Sequence, residues 1–409
     1  MKYGLIGAHL PHSFSKLIHE SLGYAYELVE LTPQALEGFL ARREFVGINV
    51  TIPYKEAVMP FLDEIDPLAQ AIGAVNTIVN CGDRLVGYNT DFGGMKAMIV
   101  RAGIRMEGKR VLILGTGGTS KTAMAVCRSL KAASVHKVSR SEKPDAVSYE
   151  QAYQNHPDTQ IILNTTPVGM YPDVLSRPID LKRFPQLYGV VDVIYNPLRT
   201  ALLAQLWQKP EIYQGGGLFM LVKQATIASS LFTGQAENPV MADVIYSRLL
   251  REKENLVLVG MPGSGKSTVG AILAKKTGRK LVDLDEEIAR RSGMTIPQIF
   301  QTRGEAAFRD LETQVIRELA GTTSAILPTG GGAILRDENV TALKQNGRLF
   351  FLDRPLEALL PTADRPLGDS REKIAALYAA RYDRYLAVSD EHILVHSTPE
   401  RAAADVLAC

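Results

Sequence analysis

Residues 255–278 read NLVLVGMPGSGKSTVGAILAKKTG, and inside them GMPGSGKS, from Gly260 to Ser267, follows the spacing G-x4-G-K-[ST]. An apolar run, NLVLV, precedes it, and a helix-forming segment follows. A strand that turns on glycines into a helix is the setting this spacing needs. Glycines let successive backbone N–H groups turn toward phosphate oxygens, and the helix N-terminus adds positive potential. Lys266 reaches the terminal phosphates and Ser267 offers a hydroxyl to Mg2+. Gly263, Ser264, Gly265, Lys266, Ser267 and Thr268 are therefore the candidate ATP-binding residues, and this stretch makes the last third of the chain a P-loop α/β domain.

Upstream, KRVLILGTGGTSKTAMAVCRSL repeats the scheme of buried strand, glycine-rich turn and helix, with Gly115, Gly117, Gly118 and Thr119 in the turn. Ser120 stands where a third glycine would complete the dinucleotide pattern. About 25 residues on, HKVSRSEK ends a strand in Ser139, Arg140 and Ser141. An NAD site calls for Asp or Glu there, whereas a cation with hydroxyl neighbours suits a 2′-phosphate. NADP is the expected cofactor, with Glu142 close enough in sequence to oppose it. Strands alternating with helices predict parallel sheets covered on both faces.

The remaining features bound the function. The 409 residues suggest two to three domains at about 150 residues each. Forty-six cationic residues against 44 acidic ones leave a net charge of +2, which gives no basis for nucleic-acid or membrane-surface binding. No apolar run is long enough for a transmembrane helix, and MKYGLIGAHLPHS reads as a first strand rather than a signal peptide. Cys81, Cys127 and Cys409 form no CxxC pair, which fits a reducing cytoplasm. His9, His12 and His19 lack metal-ligand spacing. The expected boundaries are a mixed strand–helix lobe over 1–101, a Rossmann-like NADP lobe over 102–214, a segment over 215–236, a linker over 237–254, and the P-loop domain over 255–409. A fragment beginning near Gln235 is expected to fold and act alone.

Two ordered sets of motifs narrow the chemistry. After the P-loop come LVDLDEEI with Asp283 and Asp285 at a strand end, TRGEAAFRDLE with Arg309, AILPTGGG with Gly330, Gly331 and Gly332, DRPLGD with Arg365, and ARYDRYL with Arg381. In this order they resemble shikimate kinase. The resemblance implies Asp285 as the base on the acceptor hydroxyl and Asp283 beside Mg2+ with Ser267. It also implies Arg309 and Arg381 as the carboxylate grip, the glycine triplet against the ring, and Arg365 on ATP. The types agree with the roles, because Arg offers a carboxylate a two-pronged fork and a carboxylate accepts a hydroxyl proton.

HLPHSFSKLIH, NVTIPYK, GAVNTIV, GYNTDFGG, DVIYNPLRT and GGGLFMLVKQA, in that order, resemble shikimate dehydrogenase. This resemblance implies Ser13 and Ser15 on the substrate carboxylate, Thr51 and Lys55 at the reacting centre, and Asn76 and Asp91 on the polyol. Tyr195 and Gln224 reach in from later motifs, Gly217 and Met220 lie beside the nicotinamide, and the resemblance makes 1–101 the substrate lobe and 215–236 a C-terminal return helix to it. Lys55 held by Asp91 can protonate the alkoxide left by hydride addition. Lys55, Asp91, Lys266 and Asp285 are thus the candidate catalytic residues.

Together the two resemblances imply a fused enzyme of aromatic amino-acid biosynthesis. It would reduce 3-dehydroshikimate with NADPH, then phosphorylate shikimate with ATP and Mg2+, as a monomer or homodimer. Alternatives are a quinate/shikimate dehydrogenase fused to another small-alcohol kinase, and a nucleotide sensor with one lobe inactive.

Overall fold

The computed structural model describes residues 1–10, 13–359, 370–396 and 398–409; Arg365 and His12 lie outside them. Among the described residues three sheets organise the chain. The first runs Glu27–Glu30, Tyr3–Gly7, Gly47–Val50, Thr77–Asn80, Leu85–Tyr88, Glu64–Ile65. Its first three strands are parallel, and Thr77–Asn80 pairs antiparallel to both its neighbours. Ile6, Ile48, Val50 and Ile78 pack beneath it with Leu36 and Leu40 of the Pro33–Arg42 helix.

The second sheet is wholly parallel, in the order Tyr213–Gly216, Gly189–Asp192, Ile161–Asn164, Arg110–Leu114, Ser134–Ser139, Ala146–Ser148. Numbered along the chain this is 6-5-4-1-2-3, the doubly wound order. Val111 to Leu114 and Ile161 to Leu163 are fully buried, as strands covered on both faces must be. The direction of winding reverses between Arg110–Leu114 and Ile161–Asn164. In such sheets ligands bind outside the strand C-termini at that point.

The Gly217–Thr233 helix leaves this sheet and packs on the Thr90–Arg101 and Ser15–Ser21 helices and on the strands Gly47–Val50 and Thr77–Asn80. Its approach to the Thr90–Arg101 helix needs Gly94, where a Cβ would lie 2.7 Å from the Met220 carbonyl oxygen.

The third sheet, also parallel, runs Lys280–Leu281, Ala325–Pro328, Asn255–Val259, Gly347–Asp353, Glu391–Leu394. Its central strand carries the P-loop. The expected strand through LVDLDEEI stops at Leu281. Asp283 instead caps the Leu284–Ser292 helix by accepting from the Asp285 backbone N–H, so Asp285 sits in the first helical turn rather than on extended chain. An N-cap aspartate followed by acidic residues suits a helix start.

By contact the chain forms two compact units. One comprises Met1–Met170, Arg177–Asn196 and Lys209–Leu249. The other comprises Tyr171–Ser176, Pro197–Gln208 and Leu250–Cys409. The cut at Leu249 falls inside the expected linker, but two short segments expected in the NADP lobe belong to the second unit. Val174 joins the core that contains Val257, Ile316 and Leu349. Arg199 caps the C-terminal end of the Asp337–Asn346 helix. Its side chain donates to the carbonyls of Lys344 and Gly347, both at 2.8 Å, and its backbone N–H donates to that of Gln345. These are carbonyls a helix end leaves without partners.

Candidate active sites

In the first unit, Lys55 follows a turn anchored by buried Tyr54, whose hydroxyl donates to the Leu31 carbonyl, while Val75 N–H donates to the Lys55 carbonyl. Asp91 lies in the first turn of Thr90–Arg101, where the helix dipole favours a carboxylate. Asn89 caps that helix through the Phe92 N–H and donates to the Ala74 carbonyl, tying the helix start to the sheet. The result is a Lys55 Nζ to Asp91 Oδ2 contact of 2.6 Å, with both side chains largely shielded. An ammonium held this way presents a proton at a fixed point.

Around the pair, Asn76 donates to Thr90 Oγ1 and accepts from the Thr90 N–H at 2.7 Å, and Thr90 Oγ1 donates to Gln224 Oε1 at 3.2 Å. Asn76 and Gln224 are thus brought together through Thr90, a residue the sequence reading passed over although it stands beside Asp91 in GYNTDFGG. Ser15 N–H donates to Ser13 Oγ. Tyr195 meets the same segment: burial raises its hydroxyl above the usual phenol range, and hydrogen bonds with Ser13 and the Phe14 backbone pull it back. The Thr51 methyl and Leu10 both press on Gly7, where a Cβ would meet them at 2.6 and 2.8 Å.

A cavity of about 490 Å³ opens at the switch point of the second sheet. Gly115, Gly117, Gly118 and Thr119 form one wall, Ser139, Arg140 and Ser141 another, and Lys55 with Glu56 closes it. Gly115 adopts φ +108°, and a Cβ there would meet Thr165 Oγ1 at 2.8 Å. The predicted turn and strand end therefore share one space with the predicted proton donor. Gly217 and Met220 start the Gly217–Thr233 helix and do not line this cavity. Gly217 is pressed on the Val193 carbonyl, 2.1 Å from where its Cβ would be.

In the second unit, Gly260, Gly263 and Gly265 all take positive φ, the conformation the P-loop turn requires. Lys266 is buried and donates to the carbonyls of Gly260 and Met261, both at 2.9 Å. Ser267 Oγ donates to Asp283 Oδ2 at 2.7 Å. A hydroxyl and a carboxylate oxygen so close are hard donors suited to Mg2+. Among the described residues no group of three or more His, Cys, Asp or Glu could hold a metal.

The glycine triplet is the meeting point of this site. A Cβ on Gly330 would lie 2.8 Å from Asp285 Oδ1 and 2.9 Å from Glu312 Oε1. One on Gly331 would touch Pro262 of the P-loop at 3.0 Å, and one on Gly332 would overlap the Arg309 guanidinium. Arg381 is buried and donates to the Gly331 carbonyl at 3.0 Å; burial lowers its pKa, and Arg309 lowers it further. Two guanidinium groups held near each other at a desolvated spot favour an anion between them.

Glu312, which the sequence reading missed, is fully buried. It accepts from Arg309 at 2.8 Å, and its Oε1 has no hydrogen-bond partner among the described residues. Burial holds its carboxyl above the usual range despite Arg309. The available signal was its i,i+3 spacing from Arg309.

Residues 5–78 match the family model of the shikimate dehydrogenase substrate binding domain. Over 256 residues the chain is 38% identical to an NADP(+) shikimate dehydrogenase from Geobacillus kaustophilus, covering 57% of this chain and 92% of that protein. The chain belongs to the shikimate dehydrogenase family. Residues 262–409 match the family model of shikimate kinase, so the dehydrogenase is fused to a shikimate kinase domain. Among solved structures, the Thermus thermophilus shikimate 5-dehydrogenase in complex with NADP(H) and shikimate is 32% identical. It covers 61% of this chain and 99% of that one, with a TM-score of 0.54. An Acinetobacter baumannii shikimate kinase in complex with shikimate is 37% identical over 39% of this chain and 94% of that one, with a TM-score of 0.38.

Proposed function

We propose that this shikimate dehydrogenase–kinase fusion carries out consecutive steps on one small carboxylic acid: NADPH-dependent reduction of 3-dehydroshikimate, then ATP-dependent phosphorylation of the new hydroxyl. NADPH, when bound, supplies the hydride. Lys55 donates its proton to the alkoxide oxygen that forms, and Asp91 holds the ammonium in line and stabilises its charge. Ser13, Ser15 and Tyr195 offer neutral donors to the substrate carboxylate, while Thr51, Asn76 and Gln224 fix the hydroxyls.

In the kinase domain Arg309 and Arg381 grip the carboxylate and Asp285 accepts the acceptor hydroxyl's proton. Lys266 neutralises the transferring phosphoryl group. Mg2+ would be held by Ser267 and Asp283 and would screen the phosphate charge. The observation that carries the reading is the convergence of Asp285, Arg309 and the P-loop on Gly330–Gly332. It supports the reading of Asp285 as base and Arg309 as carboxylate fork beside the P-loop.

We further propose that the protein works as a monomer or homodimer in a reducing cytoplasm. All three cysteines are free, and burial pushes the Cys127 thiol up to about 12. Among the described residues no helix is long and apolar enough to cross a membrane.

The test is incubation of the purified chain with 3-dehydroshikimate, NADPH and Mg-ATP, with products identified by mass. Stoichiometric NADP+, ADP and shikimate 3-phosphate are expected. Accumulation of shikimate without ADP, or no NADPH oxidation, would contradict one half of the reading.

A further inference from the structure

The nucleotide cavity has a wall residue with no role so far. The Ser134–Ser139 and Ala146–Ser148 strands pair in parallel with Ser139 opposite Ser148. Their next residues, Arg140 and Tyr149, therefore leave the sheet edge side by side, and both line the cavity. Tyr149 is held there firmly. Ser148 caps the Tyr149–Asn155 helix through a capping box with Gln151, in which Ser148 Oγ accepts from the Gln151 N–H at 3.1 Å and Gln151 Oε1 accepts from the Ser148 N–H at 2.8 Å.

The ring is half-buried and the backbone that carries it is fixed by this cap, so only side-chain rotation remains to be ordered when the hydroxyl donates. Burial raises the phenol above its ordinary range and the Arg140 charge draws it back, which leaves it a protonated donor at neutral pH.

We propose that Tyr149 is a cofactor-specificity residue whose hydroxyl donates to the 2′-phosphate of NADPH alongside Arg140. The proposal rests on the reading of this strand end as the 2′-phosphate site. Arg140 is exposed, with Glu142 two residues on, and so discriminates weakly for a dianion; a phenol donor adds a directed hydrogen bond without adding charge. Hydrogen bonds to charged groups are worth more than neutral ones. NADH lacks the acceptor, so the contribution falls on NADPH alone.

Initial rates of shikimate oxidation with NADP+ and NAD+, and of 3-dehydroshikimate reduction with NADPH and NADH, test this on the full chain. The rates with NADH, which lacks the 2′-phosphate, report folding of the dehydrogenase unit in each preparation. For Tyr149→Phe the KM for NADPH should rise about tenfold, while that for NADH changes less than twofold. Calorimetric binding of adenosine 2′,5′-bisphosphate to the full chain, without substrate, should weaken in parallel and that of AMP should not.

Equal changes for both cofactors, or no change for either, overturn the role of the hydroxyl. Tyr149→Leu separates the ring: a further loss shared by NADPH and NADH marks stacking, and it leaves the phosphate-specific part to the Phe variant. Arg140→Ala distinguishes the underlying reading. If it leaves the preference for NADPH intact, the strand end is not the 2′-phosphate site. If it abolishes that preference while Tyr149→Phe does not, only the proposal for Tyr149 fails.

Discussion

The chain contains two strand–glycine turn–helix units that are built by different means. Gly260–Ser267 needs positive φ at Gly260, Gly263 and Gly265 and carries its own cation, Lys266, and its own hydroxyl, Ser267. The turn from Gly115 to Ser120 needs positive φ only at Gly115 and shares its cavity with Arg140, at the neighbouring strand's end. A phosphate cradle closed within eight residues is legible as a motif. A cavity assembled from two strand ends and a helix start is legible only in part, and Tyr149, on its wall, is a residue no motif marks. Its place beside Arg140 follows from strand register, which the sequence does not print.

The sharpest way to probe the self-contained cradle is to remove the partner it does not supply. Asp285→Asn keeps size and hydrogen bonding beside Gly330 but loses the base. Shikimate phosphorylation should fall in kcat by roughly 10²- to 10⁴-fold, read by ADP release, while NADPH oxidation by 3-dehydroshikimate holds. An unchanged phosphorylation rate would mean that the cradle and Mg2+ suffice.

The second probe asks how self-contained the P-loop domain is. The sequence reading expects a fragment beginning near Gln235 to act alone, but that fragment lacks Tyr171–Ser176 and Pro197–Gln208. Without them the Val174 side chain leaves a core. Gln345, whose Nε2 donates to the Val174 carbonyl, and Asn346, whose Oδ1 accepts from the Leu198 N–H, lose buried partners. Unpaired buried polar groups cost about 1–3 kcal/mol each. The fragment should therefore lose kinase activity at a temperature roughly 5–15 °C below that of the full chain. Equal inactivation temperatures would show that the two segments contribute nothing to the domain.

Arg309→Lys sharpens the carboxylate grip. The charge stays but the fork goes, so the shikimate KM should rise about tenfold with the ATP KM little moved. Equal shifts in both would place Arg309 on the nucleotide side.

The smallest effect concerns the first unit and its pH response. His19 is buried, stacks on Tyr26 at 4.0 Å and meets the Tyr24 hydroxyl at 2.6 Å. Burial, partly opposed by Asn49, lowers its pKa from 6.5 to about 3. The unfolded chain therefore takes up a proton below pH 6.5 that the folded one refuses, so stability falls as pH drops from 6.5 toward 3, by roughly 1.4 kcal/mol per pH unit. Dehydrogenase melting followed from pH 7 to 5 should show this slope, and His19→Phe should flatten it. An unchanged slope in the variant would assign the acid sensitivity elsewhere.

Much of both sites was legible because their chemistry clusters in short motifs. Asp285, Arg309 and the glycine triplet do meet, as do Lys55 and Asp91. The misses share a physical cause. Asp283 and Asp285 were read on a strand because LVDL is apolar, yet an Asp N-cap outcompetes two more residues of edge strand. Glu312 was hidden because a buried carboxylate looks in sequence like any helical surface acid. The capture of Arg199 by a distant helix end depends on long-range packing that no local pattern carries.

The central claim is that two independent active sites act in succession on one molecule. The most direct measurement follows 3-dehydroshikimate, NADPH and Mg-ATP in parallel with Lys55→Ala and Lys266→Ala. The account predicts that Lys266→Ala oxidises NADPH at the wild-type rate and stops at shikimate. Lys55→Ala should leave NADPH nearly unoxidised but phosphorylate added shikimate at the wild-type rate. Loss of both activities in either variant, or formation of shikimate 3-phosphate by Lys266→Ala, would contradict it.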